Sequence, residues 1–114
     1  MILATIRMKM PPQKRGEALK ILKSIVEGNR ILPGCLRCRI YEDIQEDDVI
    51  MYEEMWKSEE ELENHLRSDE YRKVLLVMEM SVSYPEVGFN TLSSSTGIET
   101  VEKARGATHR RART

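Results

Sequence analysis

The stretch that decides the fold is 52-YEEMWKSEEELENHLRSDEY-71. It reads as a strand running into a capped helix. Tyr52 to Trp56 closes an apolar-rich strand. Ser58 and Glu61 then form an S-x-x-E capping box, in which the hydroxyl accepts from a backbone donor and the carboxylate reaches back. In the helix that follows, Leu62, His65 and Leu66 fall at i, i+3 and i+4, so they share one face. Turned to the core, that face sets a lone histidine among leucines, close to the strand end carrying Trp56. Glu54 lies on the same strand face as Tyr52 and Trp56. A carboxylate there is costly unless paired, so it should meet His65 or an arginine.

Upstream, residues 2–10 alternate. Ile2, Ala4, Ile6, Met8 and Met10 take one face, with Thr5, Arg7 and Lys9 on the other. Pro11-Pro12 ends that strand, because proline cannot donate to a ladder. Lys14 to Asn29 reads as an amphipathic helix with Ala18, Leu22 and Ile25 in one row, and Gly28-Asn29 as its stop. After the Leu32-Pro33-Gly34 turn, Leu36, Cys38 and Ile40 alternate with Arg37, Arg39 and Tyr41. The acidic run Asp43 to Asp48 suits a hairpin loop, and Val49 to Trp56 is the return strand.

Downstream, Ser68 should cap a second helical segment whose buried face holds Tyr71, Val74, Leu75 and Met78. Residues 79–90, with Val82, Tyr84 and Val87, read as the last core strand, held at an edge by Pro85 and Gly88. The order is a split β-α-β-β-α-β, an α+β, ferredoxin-like plan with an antiparallel sheet and helices on one face. Its other face would stay partly bare in a single copy. The domain is expected to occupy 1–90. Residues 91–114 form an extension with a short helix from Ile98 to Ala104 and a basic tail holding His109, Arg110, Arg111 and Arg113. That tail fits an anionic partner, a clasp on another subunit, or a solvated end.

At 114 residues the chain is one domain, large enough for a core yet small enough for a partner subunit to help. Charged residues make up 32% and the net charge is −1, so no global field points to nucleic acid or a membrane surface. The longest apolar run, Val74 to Met78, is too short to span a bilayer. Met1-Ile2-Leu3 leads straight into the alternating strand, so no signal peptide and a cytoplasmic location are expected. The two cysteines, Cys35 and Cys38, are three apart on a strand and should point to opposite faces, unable to pair. No third ligand accompanies Glu61 and His65 at their i, i+4 spacing, so no metal site is expected.

The run Glu54-Met55-Trp56-Lys57-Ser58, then a helix, then His65-Leu66-Arg67-Ser68 resembles the E-x-W-x-S…H-L-x-[ST] signature of the antibiotic biosynthesis monooxygenase family. The resemblance extends to about residue 90. It implies a dimeric α/β barrel, hence a homodimer. It also implies a cofactor-independent oxygenation in which a deprotonated quinol or polyphenol itself reduces O₂, with neither metal nor flavin. His65, Trp56 and Glu54 are then the catalytic candidates: base, stacking wall and tuning carboxylate. Tyr52, Met8, Met55 and Tyr71 are expected to line the substrate, with Met10 and Met51 as further soft lining. Many quinol oxygenases of the family carry a second histidine where this chain has Glu70. The haem-degrading branch needs a histidine where Leu75 stands and an asparagine where Ile6 stands.

From the residues alone, other roles stay open. An imidazole titrates near ~6.5 and so serves as a base at neutral pH, but His65 can also be a core histidine satisfied by one hydrogen bond. Trp56 can fill the core. Arg7 and Arg39 can balance an anionic substrate or form solvated surface pairs. A non-catalytic small-molecule-binding or stress-response dimer, or an isomerase of a small hydroxy-ketone with His65 as proton shuttle, fits the same scaffold.

Overall fold

Alternation in the first strand sets the layers. In the computed structural model, which describes residues 1–106, β1 (Ile2–Lys9) buries Ile2, Ala4, Ile6 and Met8, followed by Met10. The basic tail read at His109, Arg110, Arg111 and Arg113 lies outside the described residues. A short 3-10 turn at Pro12–Lys14 leads into α1 (Arg15–Asn29). Then come β2 (Cys35–Glu42), β3 (Val49–Trp56), α2 (Glu59–Leu66), α3 (Tyr71–Met80), β4 (Glu86–Thr91) and α4 (Ile98–Arg105). The strands form one antiparallel sheet in the order β2-β3-β1-β4. This is the ferredoxin-like α+β plan, with β2 and β4 as open edges. None of the described helices is long and apolar enough to cross a membrane.

The core lies between sheet and helices: Ile6, Met8, Met10, Ile50 and Tyr52 from the sheet side meet Ala18, Leu22 and Ile25 of α1 and Tyr71, Val74 and Val77 of α3. Each large side chain fully buried there contributes about 1.5–3 kcal/mol. Exposed ion pairs such as Arg7–Asp43 add little by comparison. Arg7 bridges Asp43 and Glu46 of the acidic hairpin loop, which answers its place in the alternation with a surface role.

Three readings of the sequence need correction. The last strand is shorter than 79–90. The helical row Tyr71, Val74, Val77 carries α3 on to Met80, and Val82, Tyr84 and Val87 are 58%, 97% and 45% exposed. In α3 it is Val77 that packs inward while Leu75 is half exposed, because the buried row steps by three residues. The cysteines also change place. Strand β2 carries an irregularity between Cys35 and Arg37, so Cys35 pairs with Trp56 and Cys38 with Glu54. The extra residue, Leu36, bulges outward and is exposed, and both cysteines come to the helix side as free thiols.

Candidate active site

On β3 the alternation presents Tyr52, Glu54 and Trp56 to the helices, at 1%, 2% and 1% exposure. Helix α2 begins just beyond the strand. Ser58 Oγ accepts the Glu61 amide at 3.3 Å, and Glu59, Glu60 and Glu61 place negative charge at the helix's positive end. Capped at that point, α2 presents Leu62 and His65 inward over the strand end, and His65 is 4% exposed.

Glu54 is the hub. Its Oε2 accepts from Asn29 Nδ2 at 3.0 Å, from the Tyr52 hydroxyl, and from His65 Nε2 at 2.9 Å. Its Oε1 accepts the Trp56 indole N–H at 3.0 Å. Burial alone would raise this carboxyl. The hydrogen bond and the charge of His65, and then the hydrogen bonds from Tyr52 and Trp56, outweigh burial and hold it below its ordinary value. An ionised carboxylate only accepts, so in the neutral imidazole the Nε2 facing it carries the hydrogen, which leaves Nδ1 as a bare acceptor. That Nδ1 is buried and finds no hydrogen-bond partner among the described residues.

Aromatic packing fixes the ring. Trp56 lies against it at 4.6 Å between centroids with a 31° tilt, and Tyr71 meets it edge-on at 5.2 Å. Burial and then the Glu54 charge push the Tyr71 hydroxyl up to about 12 and raise the Tyr52 hydroxyl still further, so both stay protonated. Burial likewise pushes the Cys38 thiol up to about 11, and its Sγ donates to the Tyr52 oxygen at 3.3 Å. Such a thiol is a poor nucleophile.

A cleft of about 280 Å³ opens beside the imidazole. Leu32 and Pro33 wall it from the turn before β2 and Trp56 from β3. Glu61, Asn64 and His65 line it from α2, and Ser68 and Glu70 from the link to α3. Ser68 holds that link, accepting the Tyr71 amide at 3.3 Å and donating to the His65 carbonyl at 2.6 Å.

The structure therefore joins four of the residues singled out from the sequence, Glu54, Trp56, His65 and Tyr52, and sets Tyr71 behind the imidazole. Neither tyrosine, expected to line the substrate, walls this cleft, and the methionines are not brought to it. Met8, like Met10, is sealed in the main core at 1% exposure. Met55, like Met51, sits on the alternate positions of β3 and points to the opposite face of the sheet. Asn29, read as a helix stop, is the last residue of α1, 2% exposed and bonded to the hub. Its signal was its spacing: it continues the row Ala18, Leu22, Ile25 as a polar side chain on the core face.

Residues 1–75 match the family model of antibiotic biosynthesis monooxygenases. An uncharacterised protein of Synechocystis sp. is 30% identical over 61 residues, which is 54% of this chain and 42% of that protein. The chain thus spans less than half the length of that relative. A conserved protein from Methanosarcina mazei Go1 superposes with a TM-score of 0.73 at 24% identity, covering 78% of this chain and 89% of the other. A Deinococcus radiodurans protein, provisionally named an antibiotic biosynthesis monooxygenase, superposes at 0.77 with 15% identity, covering 86% and 98%. At such identities the structural likeness speaks for the fold. The family model spans β1 through the first half of α3, with Glu54, Trp56 and His65 inside it, and by that match the chain belongs to the antibiotic biosynthesis monooxygenase family.

Proposed function

We propose that this protein oxidises a quinol or related phenol with O₂, using His65 as the base. The observation that carries the reading is the divided environment of one imidazole. Its Nε2 faces the Glu54 carboxylate at 2.9 Å, while its buried Nδ1 has no partner among the described residues, and the ring borders a cleft walled by Trp56. A hydroxyl entering the cleft donates to Nδ1. As the proton transfers, positive charge grows on a ring whose other nitrogen already meets a carboxylate, so the charge is stabilised as it forms. Trp56 offers a face for an aromatic ring. The resulting oxyanion is reductant enough to pass an electron to O₂, so the reducing power comes from the substrate. For a quinol, one oxygen atom enters the ring, the other leaves as water, and the ring ends as a hydroxyquinone.

Oxygen uptake by the purified protein with a panel of hydroquinones and polyphenols, beside His65→Ala, tests this. Uptake above autoxidation that drops at least ~100-fold in a folded His65→Ala variant is expected. Equal uptake by both proteins removes His65 from the chemistry.

A homodimer belongs to the same proposal. The sheet is open on its far side, and one copy also leaves Val87 and Phe89, on the helix side of edge strand β4, and Ile98 and Val101 of α4 between 40% and 49% exposed. A second copy covering the open sheet would close the barrel that the family resemblance implies. Sedimentation equilibrium should return twice the chain mass, and a single-chain mass across micromolar concentrations rejects the dimer.

A further inference from the structure

Asn29 ends α1 with a polar side chain on the helix's buried row, after Ala18, Leu22 and Ile25. Its backbone is held in place, because its carbonyl accepts the amide of Leu32, a wall of the cleft, at 3.1 Å. A side-chain amide that meets an ionised carboxylate must present its nitrogen, which has two hydrogens to give. The nearest acceptors are Glu54 Oε2 at 3.0 Å and the Tyr52 oxygen at 3.2 Å, with Cys38 Sγ a weaker third at 3.5 Å. The Cys38 thiol in turn donates to the Tyr52 oxygen at 3.3 Å. With both lone pairs of that oxygen taken, the Tyr52 hydroxyl gives its own hydrogen to Glu54 Oε2.

Three donors therefore crowd one oxygen of Glu54, and His65 Nε2 is one of them. The other oxygen takes the Trp56 indole. A carboxylate bonded to an imidazole stabilises the imidazolium, and so favours a hydrogen on both ring nitrogens. Each further donor draws charge from the shared oxygen and weakens that pull. The other ionisable groups around the pair do not share this task. Burial above all lifts the thiols of Cys35 and Cys38 on β2 and the phenols of Tyr52 and Tyr71, so all four stay protonated near neutral pH. Strand β1 sets Ala4 opposite Glu54, with no charge to add. Glu61 and Glu70 line the cleft beside His65 and, as anions, favour its charged form.

We propose that Asn29 is a positioning residue. By sharing Glu54 Oε2 with His65, directly and through the Tyr52 hydroxyl, it restrains the carboxylate's pull on the imidazole and keeps Nδ1 bare for an incoming proton. This rests on the reading of His65 as the base, and it names what sets the pH at which that base is available. A residue on α1, touching neither cleft nor ring, then governs the protonation of a side chain on α2.

The chain has two histidines, His65 and His109, so nitrogen-15 NMR of labelled histidine follows the ring from about pH 5 to 9, and His65→Ala identifies its signal. The variants are Asn29→Leu, which keeps the volume and removes the donor, and Tyr52→Phe, which removes a single oxygen. Circular dichroism checks that each is folded. In both, the His65 midpoint should rise by ~0.5–1 pH unit, about a three- to tenfold gain in proton affinity. The acid limb of the oxygen-uptake profile should move up by the same amount. A purely structural asparagine would lower the urea midpoint and leave the His65 titration in place. An unmoved His65 midpoint in either folded variant therefore overturns the role of Asn29, whatever the uptake. A raised midpoint in a protein that takes up no oxygen from the quinol panel upholds the control of the ring by Asn29 and overturns the oxygenase reading instead.

Discussion

Glu53 and Glu54 are neighbours on one strand, identical in chemistry and opposite in circumstance. Glu53 faces the open side of the sheet, where Arg37 Nε donates to it at 3.0 Å and the Tyr41 hydroxyl at 3.4 Å, with the arginine side chain 40% exposed. Glu54 faces the helices and takes hydrogen bonds from Asn29, Tyr52, Trp56 and His65 at 2% exposure. On one side water can replace a lost partner. On the other, every donor has been stripped of water, and the carboxylate is the one acceptor they share. The alternation of a β-strand turned one glutamate into a surface ion pair and the other into the hub of a buried polar network.

The largest effect should come from removing that hub. Glu54→Ala strands the donors of Tyr52, Trp56 and His65 in a dry core, while Asn29 keeps its bond to the Tyr52 oxygen at 3.2 Å, and is expected to cost about 3–5 kcal/mol, read as a lower urea midpoint. A loss under about 1 kcal/mol would mean that water reaches the network and that the contrast with Glu53 is false.

Acid sharpens the comparison next. The folded protein holds Glu54 below its ordinary 4.5, so the native state gives up this proton more readily than the unfolded chain. The stabilisation that follows is present above pH 4.5 and fades as pH falls through the lower native value. Urea midpoints measured from pH 7 to about pH 3 should therefore fall less steeply for Glu54→Gln than for wild type. His65, which faces the carboxylate, is left with an uncharged partner in that variant. Parallel curves would assign the acid sensitivity to other groups.

The smallest effect belongs to the other glutamate. Glu53→Ala should change the stability of the single chain by about 0.2–1 kcal/mol, and less in high salt, as expected for a pair whose arginine side chain is 40% exposed and whose carboxylate is 14% exposed. It should leave Trp56 fluorescence unaltered, since Glu53 lies on the far side of the sheet. A shift in that emission would show the two faces to be coupled.

Local patterns were readable because local physics sets them. The two-residue period placed β1 and β3 and told Glu54 from Glu53, and Ser58 announced the start of α2 to the residue. From these, the meeting of Glu54, Trp56 and His65 could be anticipated. Other features depend on what lies across the gap. The bulge at Leu36, which brings both cysteines to the helix side, arises from pairing with β3. Asn29 looked like a helix stop because its partner, Glu54, is 25 residues away. Met55 seemed to be a pocket residue until its face of the strand was counted, and Met8 until the core closed over it. The orientation of Glu61 was hidden most deeply, since it needs the empty space of Gly34 from a different loop. The sequence by itself determined the order of the elements and the shared faces of β1, β3 and α2, because dihedral preference, periodicity and capping act over a few residues. Tertiary structure alone decided which polar atoms were satisfied and which were buried without a partner among the described residues, because that depends on register and packing between segments distant in the chain.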